Sequence, residues 1–273
     1  MQFNSTQTLI NMQLNGKNVL ITGGTRGIGK CMVQSLIKEG VANIAVIARD
    51  KSNLKQLAEE YPEVNFMKIA GDVANIEILR DAAARIEDKW GHLDILINNA
   101  GIVAAGPLED IQDEDLYDQV AVNLTAVMLL TKYCIPLLKS SEDAYILNIS
   151  SGLGLIGMPF YAVYGSTKAA IRQFSDSMRR ELAPFKVSVT CAFPTATDTE
   201  MMQKFKGRKM DAPEYVAERS LEGLFNKELQ VIFGGEERLK ENTLNFEAPQ
   251  ELDKKVAENY EERKTASLDH KAV

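Results

Sequence analysis

The stretch that decides the fold is Asn18-Val19-Leu20-Ile21-Thr22-Gly23-Gly24-Thr25-Arg26-Gly27-Ile28-Gly29. An apolar, β-branched run enters a glycine-rich turn, and an amphipathic segment at 27–40 leaves it. Glycines allow a tight turn and let the backbone approach a pyrophosphate, whose charge then meets the free N–H groups and positive end of the following helix. Such a turn carries little information alone. Placed after the first strand of a βαβ unit it reads as a dinucleotide cradle, although its T-G-x-x-x-G-x-G spacing differs from the G-x-G-x-x-G of most dinucleotide folds.

Working outward, short β-branched runs at 17–22, 43–48, 65–70, 93–98, 144–150, 186–193 and 229–233 alternate with amphipathic stretches at 27–40, 52–61, 75–90, 113–140, 160–183 and 212–226. That alternation predicts an α/β fold: a Rossmann-like, doubly wound, mostly parallel seven-stranded sheet in a single domain. Ligands of such sheets bind outside the C-terminal ends of the strands, so the loops beginning at Thr22, Ala48, Gly71, Asn98, Ser150 and Phe193 are expected to line one cleft. The division expected is a flexible segment at 1–11, a catalytic domain at 12–235 and a charged, partly helical extension at 236–273. In the extension Leu252, Val256 and Tyr260 recur every four residues behind Pro249, which predicts a surface helix over 249–265. A solvated charged tail is the alternative.

Across 273 residues, 45% are hydrophobic and 25% charged, as in ordinary globular proteins. Thirty-one basic against thirty-eight acidic side chains leave a net charge of −7, which repels a phosphate backbone and argues against nucleic-acid partners. Cys31, Cys134 and Cys191 are scattered, and His92 and His270 are the only histidines, so neither a metal site nor a disulfide framework is expected. Uninterrupted apolar runs such as 127–130 are too short for a membrane span. The polar start lacks a signal-peptide pattern, and the expected compartment is the cytoplasm.

After the second run come Ala48, Arg49 and Asp50. A ribose with free hydroxyls calls for an acid there, whereas a 2′-phosphate calls for cations. Ala48 stands at the acid's place, with Arg49 beside it and Arg26 in the glycine turn, so the reading favours NADP(H). Asp50 leaves NAD(H) open.

Tyr164 and Lys168 lie four apart on one predicted helix face. Tyr260 and Lys264 share that spacing but sit in the charged tail with no strand end nearby, and read as a surface pair. Tyr164 is distinguished by Ser151 at a strand end and by Asn123 in the preceding helix. Ketone reduction by hydride leaves charge on oxygen that a donor must quench, and a tyrosine with its usual pKa of about 10 does so poorly near neutrality. An ammonium at about 4 Å, with an effective dielectric near 20, favours phenolate by about 4 kcal/mol, or up to about three pKa units. Ser151 would hold the carbonyl oxygen in line, and Asn123 would anchor a water that relays protons to Lys168.

Over 12–235 the chain resembles the short-chain dehydrogenases/reductases of about 250 residues. The matching pieces are Thr22–Gly29, Gly71-Asp72-Val73, Asn98-Asn99-Ala100-Gly101, Asn123, Ser151, Tyr164 with Lys168, and Pro194–Thr199. The resemblance implies a catalytic tetrad of Asn123, Ser151, Tyr164 and Lys168. It also implies a cofactor site of Gly23, Thr25, Arg26, Gly27, Ile28, Gly29, Arg49, Asp72, Val73, Asn99, Ala100, Gly101, Pro194, Thr197 and Thr199, with Tyr164 and Lys168 touching the nicotinamide ribose side. It further implies pairing of the helices at 113–140 and 160–183 in a homodimer or homotetramer. Pro194-Thr195 stands where the family has Pro-Gly, and the extension runs past its usual last strand.

Leu153, Met158, Phe160 and Tyr161, with Met201, Met202 and Phe205, form an apolar candidate substrate pocket with no arginine placed to grip a carboxylate. A short basic segment (Lys204, Lys206, Arg208, Lys209) follows. The activity expected is NADP-dependent hydride transfer to a hydrophobic ketone or aldehyde, or from a secondary alcohol. The alternative is an NADP(H)-binding sensor without turnover.

Overall fold

The computed structural model describes residues 14–205, 210–268 and 270–272, with only the backbone at 203–205. The segment 1–11, the Phe205 and Lys204 side chains and Lys206, Arg208 and Lys209 lie outside the described residues. Strands β1 (Asn18–Thr22), β2 (Asn43–Ala48), β3 (Asn65–Ala70), β4 (Ile95–Asn98), β6 (Ala144–Ile149), β7 (Val187–Phe193) and β8 (Gln230–Ile232) form one sheet in the order β3-β2-β1-β4-β6-β7-β8. Every adjacent pair is parallel. Because β1 lies between β2 and β4, the winding reverses there, and a crevice opens at the C-terminal ends of β1 and β4.

Central strands read as unbroken apolar runs because helices cover both faces. Ile21, Val46 and Leu147 pack under α1 (Gly27–Lys38) and α7 (Pro213–Phe225) with Met32, Leu36 and Leu221. Their alternates Leu20, Ile47 and Ile146 pack under α3 (Ile76–Trp90) with Leu79 and Ile86, and under Leu130 and Leu138 of the long helix described next. α2 (Lys51–Glu60) begins at Asp50, whose carboxylate accepts from Ser52 N and Asn53 N. α3 begins at Asn75 and ends at Gly91, which adopts φ +73°.

The expected helix 113–140 is α4 (Asp113–Val120), a π-helical turn (Ala121–Thr125) and α5 (Ala126–Lys139) in one continuous rod. Counted whole, Asp113–Lys139 is long and apolar enough to cross a membrane, although no uninterrupted apolar run within it is. Here Leu130, Cys134, Leu137 and Leu138 of that rod belong to the core under the sheet. α6 (Ala162–Leu182) lies beside it and carries Tyr164.

Beyond β8 the chain forms α8 (Gly235–Glu247), α9 (Pro249–Ala257) and α10 (Tyr260–Leu268), then β9 (Lys271–Ala272). The single helix expected over 249–265 is broken between α9 and α10, with Asn259, a weak helix former, in the gap. β9 pairs antiparallel with β5 (Val103–Ala104), a two-residue strand just past β4. This second sheet was not expected from sequence.

Candidate active site

The glycine turn is fastened to the end of β4 through Thr22 and Asn99. Thr22 Oγ1 accepts from the backbone N–H groups of Asn99 and Ala100 at 3.0 Å each, and Asn99 Nδ2 donates to the Thr22 and Gly23 carbonyls. A Cβ on Gly29 would lie 2.1 Å from the Gly23 carbonyl oxygen, so the first turn of α1 can approach the loop only without a side chain. Arg26 occupies the N-cap of α1 and makes no side-chain cap, which leaves that helix end facing the crevice without a protein anion of its own. Gly27 and Ile28 open the helix, and Thr25 is half-buried just before it.

The two arginines behave differently. Arg49 is exposed and makes no hydrogen bond or ion pair to the described residues. Arg26 does not converge with it on empty space: its Nη1 lies 2.7 Å from Glu200 Oε2, with both side chains more than half exposed. Asp50 spends its carboxylate on the α2 cap, and its pKa falls below the usual range because Ser52 and Asn53 hydrogen-bond it, with Arg26 adding to the effect. Asp72 Oδ1 similarly accepts from Ala74 N at 2.8 Å, and Val73 is packed in the core.

The chemical side chains meet across β4, β6 and α6. Ser151 follows β6; its hydroxyl accepts from Leu153 N at 3.2 Å and stands near enough to the Tyr164 phenol to draw its pKa down. Lys168, 4% exposed, donates from Nζ to the Ile149 carbonyl at 3.0 Å and stands 5.7 Å from the Tyr164 ring centroid. The backbone there is close-packed: a Cβ on Gly154 would lie 2.7 Å from the Lys168 carbonyl oxygen. Gly101 backs the same corner, where a Cβ would sit 3.3 Å from both Asn123 Oδ1 and Lys168 Nζ.

One sequence expectation is corrected here. Burial holds the Tyr164 phenol up at about 12; Ser151 draws it down and Tyr161 pushes it further up. Burial also draws Lys168 down to about 8. The ammonium therefore does not bring the phenol toward neutrality in the chain by itself, because it lies over the ring and bonds to Ile149 rather than to the hydroxyl. Asn123, in the π-helical turn, gives both side-chain atoms to Ile102: Oδ1 accepts from Ile102 N at 2.8 Å and Nδ2 donates to Ile102 O at 2.9 Å. Nδ2 also donates to Thr167 Oγ1 at 3.3 Å, so the side chain braces the π-helical turn against the loop after β4 and α6.

After β7, Thr197 donates its hydroxyl to Thr195 O at 3.0 Å, and Thr199 donates to Thr197 O at 3.3 Å. Both threonine hydroxyls are occupied within their own loop. Pro194 O accepts from Gly152 N at 2.8 Å, tying this loop to Ser151. Leu153, Met158, Phe160, Tyr161, Met201 and Met202 are all half-buried around the loops after β6 and β7. One arginine does reach the loop after β6: Arg238 of α8 places Cζ and Nη2 3.6 Å from where a Gly152 Cβ would be, while its Nη1 lies 3.1 Å from Glu241. Nothing in the sequence linked position 238 to this loop.

A family model described as short chain dehydrogenase matches residues 17–209, which includes the glycine turn, β4, Ser151, Tyr164 and Lys168. The chain belongs to the short-chain dehydrogenase family. Among solved structures, a Burkholderia cenocepacia short chain dehydrogenase in complex with NADP is similar at TM-score 0.78 and 26% identity, covering 90% of this chain and 99% of that one. A Brucella melitensis 3-ketoacyl-(acyl-carrier-protein) reductase complexed with NADH gives TM-score 0.74 and 28% identity, covering 81% of this dehydrogenase and 98% of that chain. Among curated relatives, the Dictyostelium discoideum 3-ketodihydrosphingosine reductase is 28% identical over 81% of this chain and 75% of its own length.

Proposed function

We propose that this short-chain dehydrogenase is an NADP(H)-preferring oxidoreductase that moves hydride between the nicotinamide and a ketone or aldehyde, or a secondary alcohol, with an apolar body. The observation that carries the reading is the union of Ser151, Tyr164 and Lys168 in one corner of the crevice at the strand ends, beside a glycine turn. The residues present fit the cofactor. The α1 N-terminus has no side-chain cap, and the Gly23–Gly29 approach leaves bare backbone for a diphosphate. Ala48 offers no acid to the ribose, Asp50 is committed to α2, and Arg49 is an open cation, all of which favour a 2′-phosphate. The bound NADP of the Burkholderia structure supports this, and the NADH of the Brucella structure keeps NAD(H) in view as a second cofactor.

Bound there, the reduced nicotinamide supplies the hydride. Ser151 offers its hydroxyl to the substrate carbonyl oxygen and holds it beside the Tyr164 phenol. Tyr164 Oη gives its proton to that oxygen as charge develops on it. With its proton held to about 12 in the free chain, the phenol is ready as an acid throughout the neutral range. Lys168, over the ring, favours the phenolate once the proton has left. Asn123 keeps the loop after β4 in register with the helix. The names of the relatives point to β-oxo compounds with long apolar tails as the first substrates to try.

Purified protein should oxidise NADPH with members of a ketone panel, and Tyr164→Phe should lower kcat by about 10²–10⁴-fold while leaving NADPH affinity intact. If both proteins bind NADPH and neither consumes it, the sensor reading replaces this one.

A further inference from the structure

The segment from Tyr260 to Ala272 straps together two loops, the one after β4 and the one leading into α6. β9 pairs with β5, and Ala105 N donates to the His270 carbonyl at 3.0 Å. Lys271 Nζ lies 2.6 Å from Asp115 Oδ2. On the facing loop, the Tyr260 ring meets Phe160 edge-on with centroids 5.1 Å apart, and His270 Nδ1 lies 2.9 Å from Tyr161 Oη. The two loops also touch directly, because Gly106 N donates to Phe160 O at 2.8 Å.

Two facts make this more than tail packing. Phe160 holds φ +71°, a backbone state that a bulky residue keeps only where its surroundings impose it, and Tyr260 against its ring and Gly106 on its carbonyl are among those surroundings. Tyr161 is the N-cap of α6, so whatever fixes Tyr161 also fixes the start of the helix that presents Tyr164 within its first turn.

We propose that Tyr260 and His270 are positioning residues that hold Phe160 and Tyr161 as an aromatic end wall of the substrate cleft, and so set the length of apolar tail the enzyme accepts. The proposal rests on the oxidoreductase reading and adds the size class of its substrate. An apolar tail gains about fourfold in affinity for each methylene it buries. That gain stops where the tail reaches a wall that cannot move, and the strap is what keeps this wall from moving.

The test uses the full chain saturated with NADP⁺ and straight-chain methyl ketones from butanone to dodecanone. Affinity is read by calorimetry, and kcat and KM are read separately by NADPH oxidation. Wild type should gain affinity with length and then stop at a definite chain length. In Tyr260→Ala and His270→Ala the gain should continue for several further methylenes, with KM for the longer ketones falling at least fivefold. His270→Gln, which can still hydrogen-bond the Tyr161 hydroxyl, should restore the wild-type limit. NADPH affinity should stay within twofold throughout. The same length limit in all four proteins, a wild-type series without a limit, or no ketone binding at all overturns the proposal. Ketone binding with the predicted length shift but no NADPH oxidation would instead overturn the turnover reading and leave the wall standing.

Discussion

Lys168 holds a charge that its surroundings disfavour. Burial lowers its pKa to about 8 from 10.5, so between those values the unfolded chain binds more protons and stability rises with pH. Below about pH 8 the penalty is fully present, with a ceiling of about 3 kcal/mol. Lys168→Met should therefore be inactive yet more stable than wild type by about 2 kcal/mol in urea melts at pH 7, a difference that closes as pH climbs from 8 to 10.5. Tyr164 has the opposite shift, and the consequence falls on direction. Ketone reduction should be nearly flat from pH 6 to 8, whereas alcohol oxidation, which needs the phenolate, should climb with pH through that range and beyond; parallel profiles in both directions would contradict it. At this scale the sequence shows which residues matter better than it shows what they do. Asn123 was legible as a member of the site, but its partner is the backbone of Ile102, and no pattern of side chains announces a backbone partner. Arg238 was invisible for a related reason, since only the path of α8 brings it to Gly152.

Among the elements, the junction of β1 and α1 follows most directly from its residues. Gly29→Ala puts a methyl group 2.1 Å from a backbone carbonyl, so the turn must shift. The expected result is at least a tenfold loss of NADPH affinity in a fluorescence titration, with far-UV dichroism of a folded sheet retained. The segment after β7 reaches back to this junction through the Arg26–Glu200 pair. A 2′-phosphate must share Arg26 with Glu200 or displace it, so Glu200→Gln should tighten NADPH binding several-fold and leave NADH binding nearly unchanged; equal effects on both cofactors would remove Arg26 from phosphate recognition. Long strands and helices were legible because each repeats its signal over many residues. β5 and β9 are two residues each, too short to show alternation, and the π-helical turn inside 113–139 conserves the apolar face that defines the helix. Those features are set by tertiary partners.

At the scale of the whole molecule, strands of the sheet alternate with helices along the chain and every sheet neighbour is parallel, and that regularity is why its architecture could be read from the order of runs. We expect assembly through the same helices. Tyr117 of α4 is 72% exposed and Met128 of α5 is 38% exposed on the rod beside α6, and we expect two copies to bury them against each other. A monomeric mass by light scattering at micromolar concentration would refute this. The pairing of β9 with β5 has a consequence for how the chain reaches its final form. Its two partners are separated by most of the polypeptide, so this closure is the last to be made and the first to come undone, whereas the βαβ units beneath it depend on contacts near in sequence. A trace of protease acting on native protein should accordingly release a peptide from the α9–β9 region while the sheet stays whole, and amide exchange at Ala105 should outpace exchange at Val19 or Ile146 by orders of magnitude.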